Sequence, residues 1–201
     1  KYMFQFIETI CYENNQFRNL AFHQERFDRT RNDNFVDSIP ISLEEVIEIP
    51  TSLEPQKYKV RILYDRIIQS IEFIPYEIQL IDSIQLFEIH PKVFYTYKYA
   101  DRDFLTEYLN EAKTDDLILV KSNYITDATY ANLVFYDGSQ WFTPKSCLLK
   151  GTMREALLAD GSILEKNIKV RDLPNFQSFK RINAMMNLEE SQEFDIQILL
   201  K

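Results

Sequence analysis

Hydrophobic and polar positions change period several times along the chain, and each change marks an element. The stretch "YMFQFIETICY" is aromatic and β-branched, and Asn14-Asn15 after Glu13 breaks it. A hairpin is therefore predicted from this stretch into "QFRNLAF". From Phe22 to about Asn34 charges recur at helical spacing, with Phe22 and Phe27 on another side. This predicts an amphipathic helix with a basic middle of Arg26, Arg29 and Arg31, whose simplest role is a solvated face. "ISLEEVIEIP" predicts a short helix stopped by Pro50. Between Lys57 and Glu88, "KYKVRILYD", "IIQSIEFIPYEIQLI" and "IQLFEI" are rich in Ile, Tyr, Phe and Val with partial alternation, which predicts strands. "HPKVFYTYKYADRD" reads as a connector, and "DFLTEYLNEAK" as a helix with apolar Phe104, Leu105, Tyr108 and Leu109. "DLILVKS", "ANLVFYDG" and "WFTP" form a strand-rich block with Asp137-Gly138 as a turn. A helix from Thr152 to Asp160 and strands near "SILEKNIKV" and "FKRINAM" complete the pattern. The result is an α+β chain of two lobes, 1–94 and 95–201, with the boundary within Pro91–Tyr99.

Composition narrows the function. With 201 residues, 45% of them apolar, the chain can bury a sizeable core. The balance of 23 basic against 31 acidic residues argues against a nucleic-acid partner. No apolar run approaches the roughly 20 residues of a membrane span, and the opening stretch is broken by Gln5 and Glu8, unlike a signal peptide. Together with two separated cysteines, Cys11 and Cys147, this favours a cytoplasmic protein with free thiols. Lys1 in place of Met points to residues preceding this sequence. The three glycines form neither a GxGxxG nor a Walker loop. Two histidines, His23 and His90, and no CxxC leave no expected metal site.

Few residues stand out chemically. Lys98 in "FYTYKYAD" is flanked by Tyr95, Tyr97 and Tyr99. A partly desolvated lysine of this kind becomes a nucleophile toward carbonyls, although an ordinary exposed lysine fits the same string. Thr152 and Glu155 predict a capping box, preceded by Gly151 and followed by the stop Gly161. Glycine before a helix start allows close approach of an anion, or simply a tight strand-to-helix turn. Asp127 is predicted at the entrance to the strand "ANLVFYDG", where it caps a turn or pairs with a buried cation. Asn183 and Ala184 are predicted at the end of another strand.

The order of these pieces resembles the class IV aminotransferase family, the fold-type IV enzymes that use pyridoxal 5′-phosphate (PLP). The segments that carry the resemblance are "FIETI", "HQER", "KYADR", "TDATYANLVF", "WFTP", "LLKGTMR" and "INAM", spread over nearly the whole chain. The resemblance implies a D-amino-acid aminotransferase-like fold with PLP between the two lobes, and a homodimer. It implies that Lys98 bonds to the cofactor and shuttles the proton, and that Asp127 faces the pyridine nitrogen. Arg26 would bind the phosphate together with backbone N–H groups of Thr152 and Met153 after Gly151. Asn183 and Ala184 would close the phosphate cup. Two positions depart from the family pattern: Asp127 stands where a Glu is usual, and Met153 where many members have Thr. The implied activity is that of 4-amino-4-deoxychorismate lyase, a step in folate synthesis, because "INAMM" is similar to the lyases' Asn-Ala-Leu-Met. A branched-chain or D-amino-acid-type aminotransferase is the alternative, and a non-catalytic protein retaining the fold is a third.

Overall fold

The computed structural model describes residues 4–200. Lys1, Tyr2 and Met3 lie outside the described residues, and with them the start of the first predicted strand. The chain divides into two compact units, one reaching to Ile78 and including Tyr97–Asp101, the other comprising Gln79–Thr96 and the residues from Arg102 onward.

The first unit is a four-stranded antiparallel sheet with one long helix. Strand β1 (Phe6–Glu13) turns through Asn14 and Asn15 into β2 (Gln16–Phe17). Both asparagines have positive φ, 52° and 60°, as a two-residue turn matching strand twist requires. Helix α1 (Leu20–Asn34) and the single turn α2 (Leu43–Val46) precede β3 (Tyr58–Tyr64) and β4 (Ile68–Pro75), and the sheet order is β2-β1-β3-β4. In β3 the alternate residues Tyr58, Val60, Ile62 and Tyr64 are buried, and they meet Phe6, Ile10 and Tyr12 of β1 and Phe27 of α1 in one core. Strand β4 ends at Pro75, short of the predicted run, because proline cannot donate to a ladder. The segment Tyr97–Asp101 returns to this sheet's edge. Ile7 N–H donates to Lys98 O at 2.9 Å, Ala100 N–H donates to Gln5 O at 2.8 Å, and Phe6 bridges Tyr99.

Helix α1 corrects the sequence reading. Its inward stripe is His23, Arg26, Phe27, Thr30 and Arg31, spaced three and four apart, so Arg26 and Arg31 share a face with Phe27 and are buried. Arg29 alone of the three arginines is exposed. Arg31 is satisfied by backbone carbonyls, donating to Ile39 O and Arg66 O, both at 2.8 Å.

The second unit is built on a larger mixed sheet. Strand β5 (Ile84–Glu88) runs parallel to β6 (Asp116–Lys121), with helix α3 (Asp103–Ala112) between them in sequence. Strand β6 turns through Ser122 and Asn123, both at positive φ, into β7 (Tyr124–Ala128). Strand β8 (Asn132–Tyr136) and β9 (Trp141–Pro144) follow, joined by the predicted turn. There Asp137 Oδ1 accepts from Ser139 and Gln140 N–H, and Gly138 takes φ 101°, a value that favours glycine. Helix α4 (Thr152–Ala159), the short β10 (Leu164–Lys166), a 3₁₀ segment over Val170–Asn175, β11 (Ser178–Ile182) and β12 (Glu193–Asp195) complete the unit. The path β10-β9-β8-β7-β6-β5 carries β11 against β8, and β12 against β11. Its main core gathers Leu133, Phe135, Phe176 and Phe179.

Phe135 is fully buried and its ring lies 5.3 Å from that of Phe176 and 5.8 Å from that of Phe179. Phe135→Ala is expected to destabilise the protein by about 3–5 kcal/mol through the cavity it leaves, and Phe135→Leu by clearly less. Urea unfolding of the two variants measures both.

Candidate active site

Residues of interest in the first unit converge on Glu8. Strand alternation puts Glu8 on the same face as Phe6 and Ile10, directly beneath α1, and leaves it no exposed surface. Arg26 grips it with two parallel bonds, Nε to Oε1 at 2.9 Å and Nη2 to Oε2 at 2.5 Å. His23 Nδ1 lies 2.6 Å from Oε2. Burial would raise the Glu8 carboxyl, but the Arg26 charge and the bonds from His23 and Arg26 outweigh it and hold it at about 2. His23 moves the other way. Burial lowers its affinity for a proton, against the pull of Glu8, and the charges of Arg26 and Lys98 add to the lowering. A neutral imidazole facing an ionised carboxylate carries its proton on Nδ1 and donates it to Glu8.

Lys98 follows directly on Tyr97, and its backbone is pinned to β1. Tyr97 and Tyr99 flank it in sequence, and their rings have partners in the first unit's core. They pack on Phe6, with centroids 6.0 and 5.2 Å away, while Tyr95 packs on Phe104 in the other unit.

In the second unit Asp127 lies near the end of β7, not at the entrance to the following strand, and faces Asn132 across the β7–β8 hairpin. The carboxyl is buried. Asn132 Nδ2 donates to Oδ1 at 2.7 Å, and Leu148 N–H donates to Oδ2 at 2.5 Å. Among the described residues no cation forms an ion pair with it. Desolvation therefore dominates over these bonds and raises the group to about 7.

The helix start differs from the predicted capping box. Gly151 is the N-cap, Thr152 is the first helical residue, and no side chain caps the helix. Glu155 is one position too far along to reach back; its N–H donates to Gly151 O, and its carboxylate pairs with Arg154 at 2.5 Å. Arg154 is buried and also meets Glu165 at 2.5 Å. Gly151 has ordinary extended backbone, φ −73°, so its role is not a special dihedral. A Cβ at this position would stand 2.2 Å from Asn132 Oδ1. Close approach is what requires the glycine.

Asn183 closes the turn after β11. Its Oδ1 accepts from Met185 and Met186 N–H at 2.9 and 3.1 Å, and its Nδ2 donates to Tyr130 O at 3.3 Å. Ala184 is buried beside it. Thus Asp127, Asn132 and residues 148–151 leading into α4 form one hydrogen-bonded group, and Asn183 and Ala184 occupy the turn at the end of the strand adjoining β8. Cys147 offers no competing nucleophile, since burial pushes its thiol up to about 12.

Sequence reasoning passed over Glu8, Asn132 and Arg154 as functional positions. Glu8 carried one visible signal, an acid inside an otherwise apolar strand. Asn132 carried another, five residues after Asp127.

The chain belongs to the class IV aminotransferase family, whose profile, described as "Amino-transferase class IV", matches residues 5–189. Among solved structures, a "putative 4-amino-4-deoxychorismate lyase" from Haemophilus somnus 129PT superposes with a TM-score of 0.85 at 26% identity, covering 94% of this chain and 100% of that one. An uncharacterized protein of Haemophilus influenzae is 33% identical over 92% of this chain and 100% of its own length. A "putative aminodeoxychorismate lyase" of Schizosaccharomyces pombe is 31% identical over 57% of this chain and 52% of its own length. The PLP-bound form of a hypothetical aminotransferase from Mycobacterium tuberculosis shares the fold, with a TM-score of 0.74 at 14% identity. The chain is accordingly a PLP-dependent enzyme with the α+β fold-type IV architecture. Among the described residues no helix is long and apolar enough to cross a membrane.

The donor set of the second unit suits this cofactor. A buried carboxyl without a direct ion-pair partner that binds a proton near neutrality, the charge of Arg154 only partly offsetting its burial, fits a pyridine nitrogen, which gains from a shared proton. The start of α4 supplies the positive end of a helix dipole for a phosphate.

Two outcomes follow from these groups. Removing Glu8 leaves Arg26 charged and buried without its carboxylate, so Glu8→Ala is expected to cost about 3–5 kcal/mol in urea unfolding. Asp127 contributes with the opposite pH sign. Its proton is held more tightly folded, at about 7, than in the unfolded chain at about 3.9. Its contribution is whole below about pH 4 and is lost as pH rises through 7. Cofactor-free protein should therefore lose a few kcal/mol from this source between those limits, and Asp127→Asn should flatten that part of the stability profile.

Proposed function

We propose that the protein is a 4-amino-4-deoxychorismate lyase, which eliminates pyruvate from its substrate to leave 4-aminobenzoate. The observation that carries this reading is the end-to-end likeness to the Haemophilus somnus structure, which spans 94% of this chain and all of that one. The Schizosaccharomyces pombe relative and the Asn183-Ala184 turn of the lyase-like "INAMM" segment support it.

In this reading Lys98 is the point of covalent attachment for PLP, and Asp127 holds the proton of the ring nitrogen. The phosphate would be held by backbone N–H groups of Thr152 and Met153 after Gly151 and by Arg26, and Asn183 and Ala184 would close the cup. Arg26 has its orientation fixed by Glu8, which holds the guanidinium plane without a rearrangement on binding. Bound PLP supplies an electron sink for the carbon that carries the substrate's amine. The Lys98 amine takes the proton from that carbon. The C–O bond to the enolpyruvyl group then breaks, and a proton delivered to the departing enolate yields pyruvate. One group serves as base and then acid, as proton economy in a closed site favours. The substitution of Asp for the usual Glu shortens the reach by one methylene, and the bond from Leu148 N–H at 2.5 Å fixes where that shorter side chain ends. The family resemblance further supports a homodimer.

PLP-loaded protein supplied with enzymatically generated aminodeoxychorismate should release 4-aminobenzoate, followed by its fluorescence. Lys98→Ala should abolish both the product and the cofactor's band near 400 nm. A yellow protein that forms keto acid from an amino donor, and no 4-aminobenzoate, would overturn the lyase reading in favour of amino transfer.

A further inference from the structure

Asn132 is buried, yet every hydrogen-bonding direction of its carboxamide that the structure records is spent on two places at once. One N–H goes to Asp127 Oδ1 at 2.7 Å and the other to Leu149 O at 2.8 Å, while Oδ1 accepts from Gly151 N–H at 3.1 Å. The remaining carboxyl oxygen of Asp127 accepts from Leu148 N–H in the same segment. The carboxyl is thus held on both oxygens by residues 148–151 or by the side chain that holds them. It cannot turn or shift without moving the backbone that begins α4. The sequence spends one of its three glycines to permit this, because a Cβ at Gly151 would meet Asn132 Oδ1 at 2.2 Å and Cγ at 3.4 Å. An asparagine that merely filled a buried polar space would need no such concession from its partner.

We propose that Asn132 is a positioning residue of the cofactor site, setting the separation between the Asp127 carboxyl and the helix start at Gly151. The proposal rests on the reading of Asp127 as the partner of the ring nitrogen and of the α4 start as the phosphate seat. The pyridine ring of PLP is rigid and its phosphate arm short, which limits the distance between ring nitrogen and phosphate, so a fixed spacing of their partners lets both be engaged together. An aspartate in place of Asn132 would set two carboxyls side by side, and an aliphatic side chain would strand the Gly151 N–H and the Leu149 carbonyl. Only a carboxamide supplies two donors and an acceptor at this position.

The test is the PLP dissociation constant, measured by equilibrium dialysis with the visible band as readout, for wild type, Asn132→Ala, Asp127→Asn and the double variant. Asn132→Ala is expected to weaken PLP about 10- to 100-fold, the equivalent of a lost hydrogen bond to a charged group. In the Asp127→Asn background the further loss should stay under about threefold, because residues acting through one another are not additive. A full repeat of the loss in that background, or an Asn132→Ala protein within about twofold of wild type, overturns the proposal. Should Asn132→Ala fail to fold, Gly151→Ala makes the same test with Asn132 retained. It should weaken PLP comparably in the wild-type background and add little to Asp127→Asn; additive losses again overturn the proposal. Wild-type protein that takes up no PLP would instead sink the assignment of the cofactor site itself.

Discussion

A carboxylate withdrawn from water must be given donors or cations, and two buried carboxyls, one in each unit of this enzyme, show the two solutions. In the first unit the solution is a cation. Glu8 stays ionised because Arg26 meets it with a matched pair of donors, and the pair ties the helix that carries Arg26 to β1. At Asp127, in the second unit, the bonded partners are neutral donors. Asp127 receives an amide and a carboxamide, which is enough to place it but not to offset the cost of its charge. The two carboxyls consequently differ by several units in proton affinity, about 2 against about 7. The lower one is a fastening. The higher one binds a proton near neutrality.

Much of this arrangement could be read from the order of apolar and polar residues. The strands, the two longer helices of ten or more residues, and the Asn-Asn and Asp-Gly turns follow from periodicity and turn chemistry, since those signals are local. The polar face of α1 was misread for a physical reason. An inward stripe of His23, Arg26, Thr30 and Arg31 has the same composition as a solvated face, and only the partners brought by β1 and by the backbone near Ile39 and Arg66 distinguish them. The helix start after Gly151 was misread by one residue, which moved the cap from Thr152 to the glycine. The seat of Asp127 was misread in the same way, because "TDATYANLVF" divides into two strands around a tight connection that has no glycine or proline to announce it. The roles of Glu8 and Asn132 depend on distances across the sheet, which no spacing along the chain encodes.

Gly151 illustrates how a motif's meaning can change while its importance does not. The sequence suggested a glycine making room for a ligand. In the fold the atom that comes too close for a side chain is the carboxamide oxygen of Asn132. A rare residue is therefore spent on internal fit, where the chain begins α4.

The path of the chain has a further consequence. After leaving the first unit at Ile78, the backbone contributes β5 to the second, returns with Tyr97–Asp101, and leaves again. The edge of the first sheet is therefore completed by residues roughly 90 positions after the strand they join, where Phe6 bridges Tyr99. During synthesis the β1 edge must wait for that segment to emerge, by which time the first strand of the other unit has already been made. No single cut separates the two units intact. A truncation ending at Ile78 would expose an unpaired strand edge, the kind of surface that recruits other chains, and the lysine at residue 98 would be left on the wrong fragment.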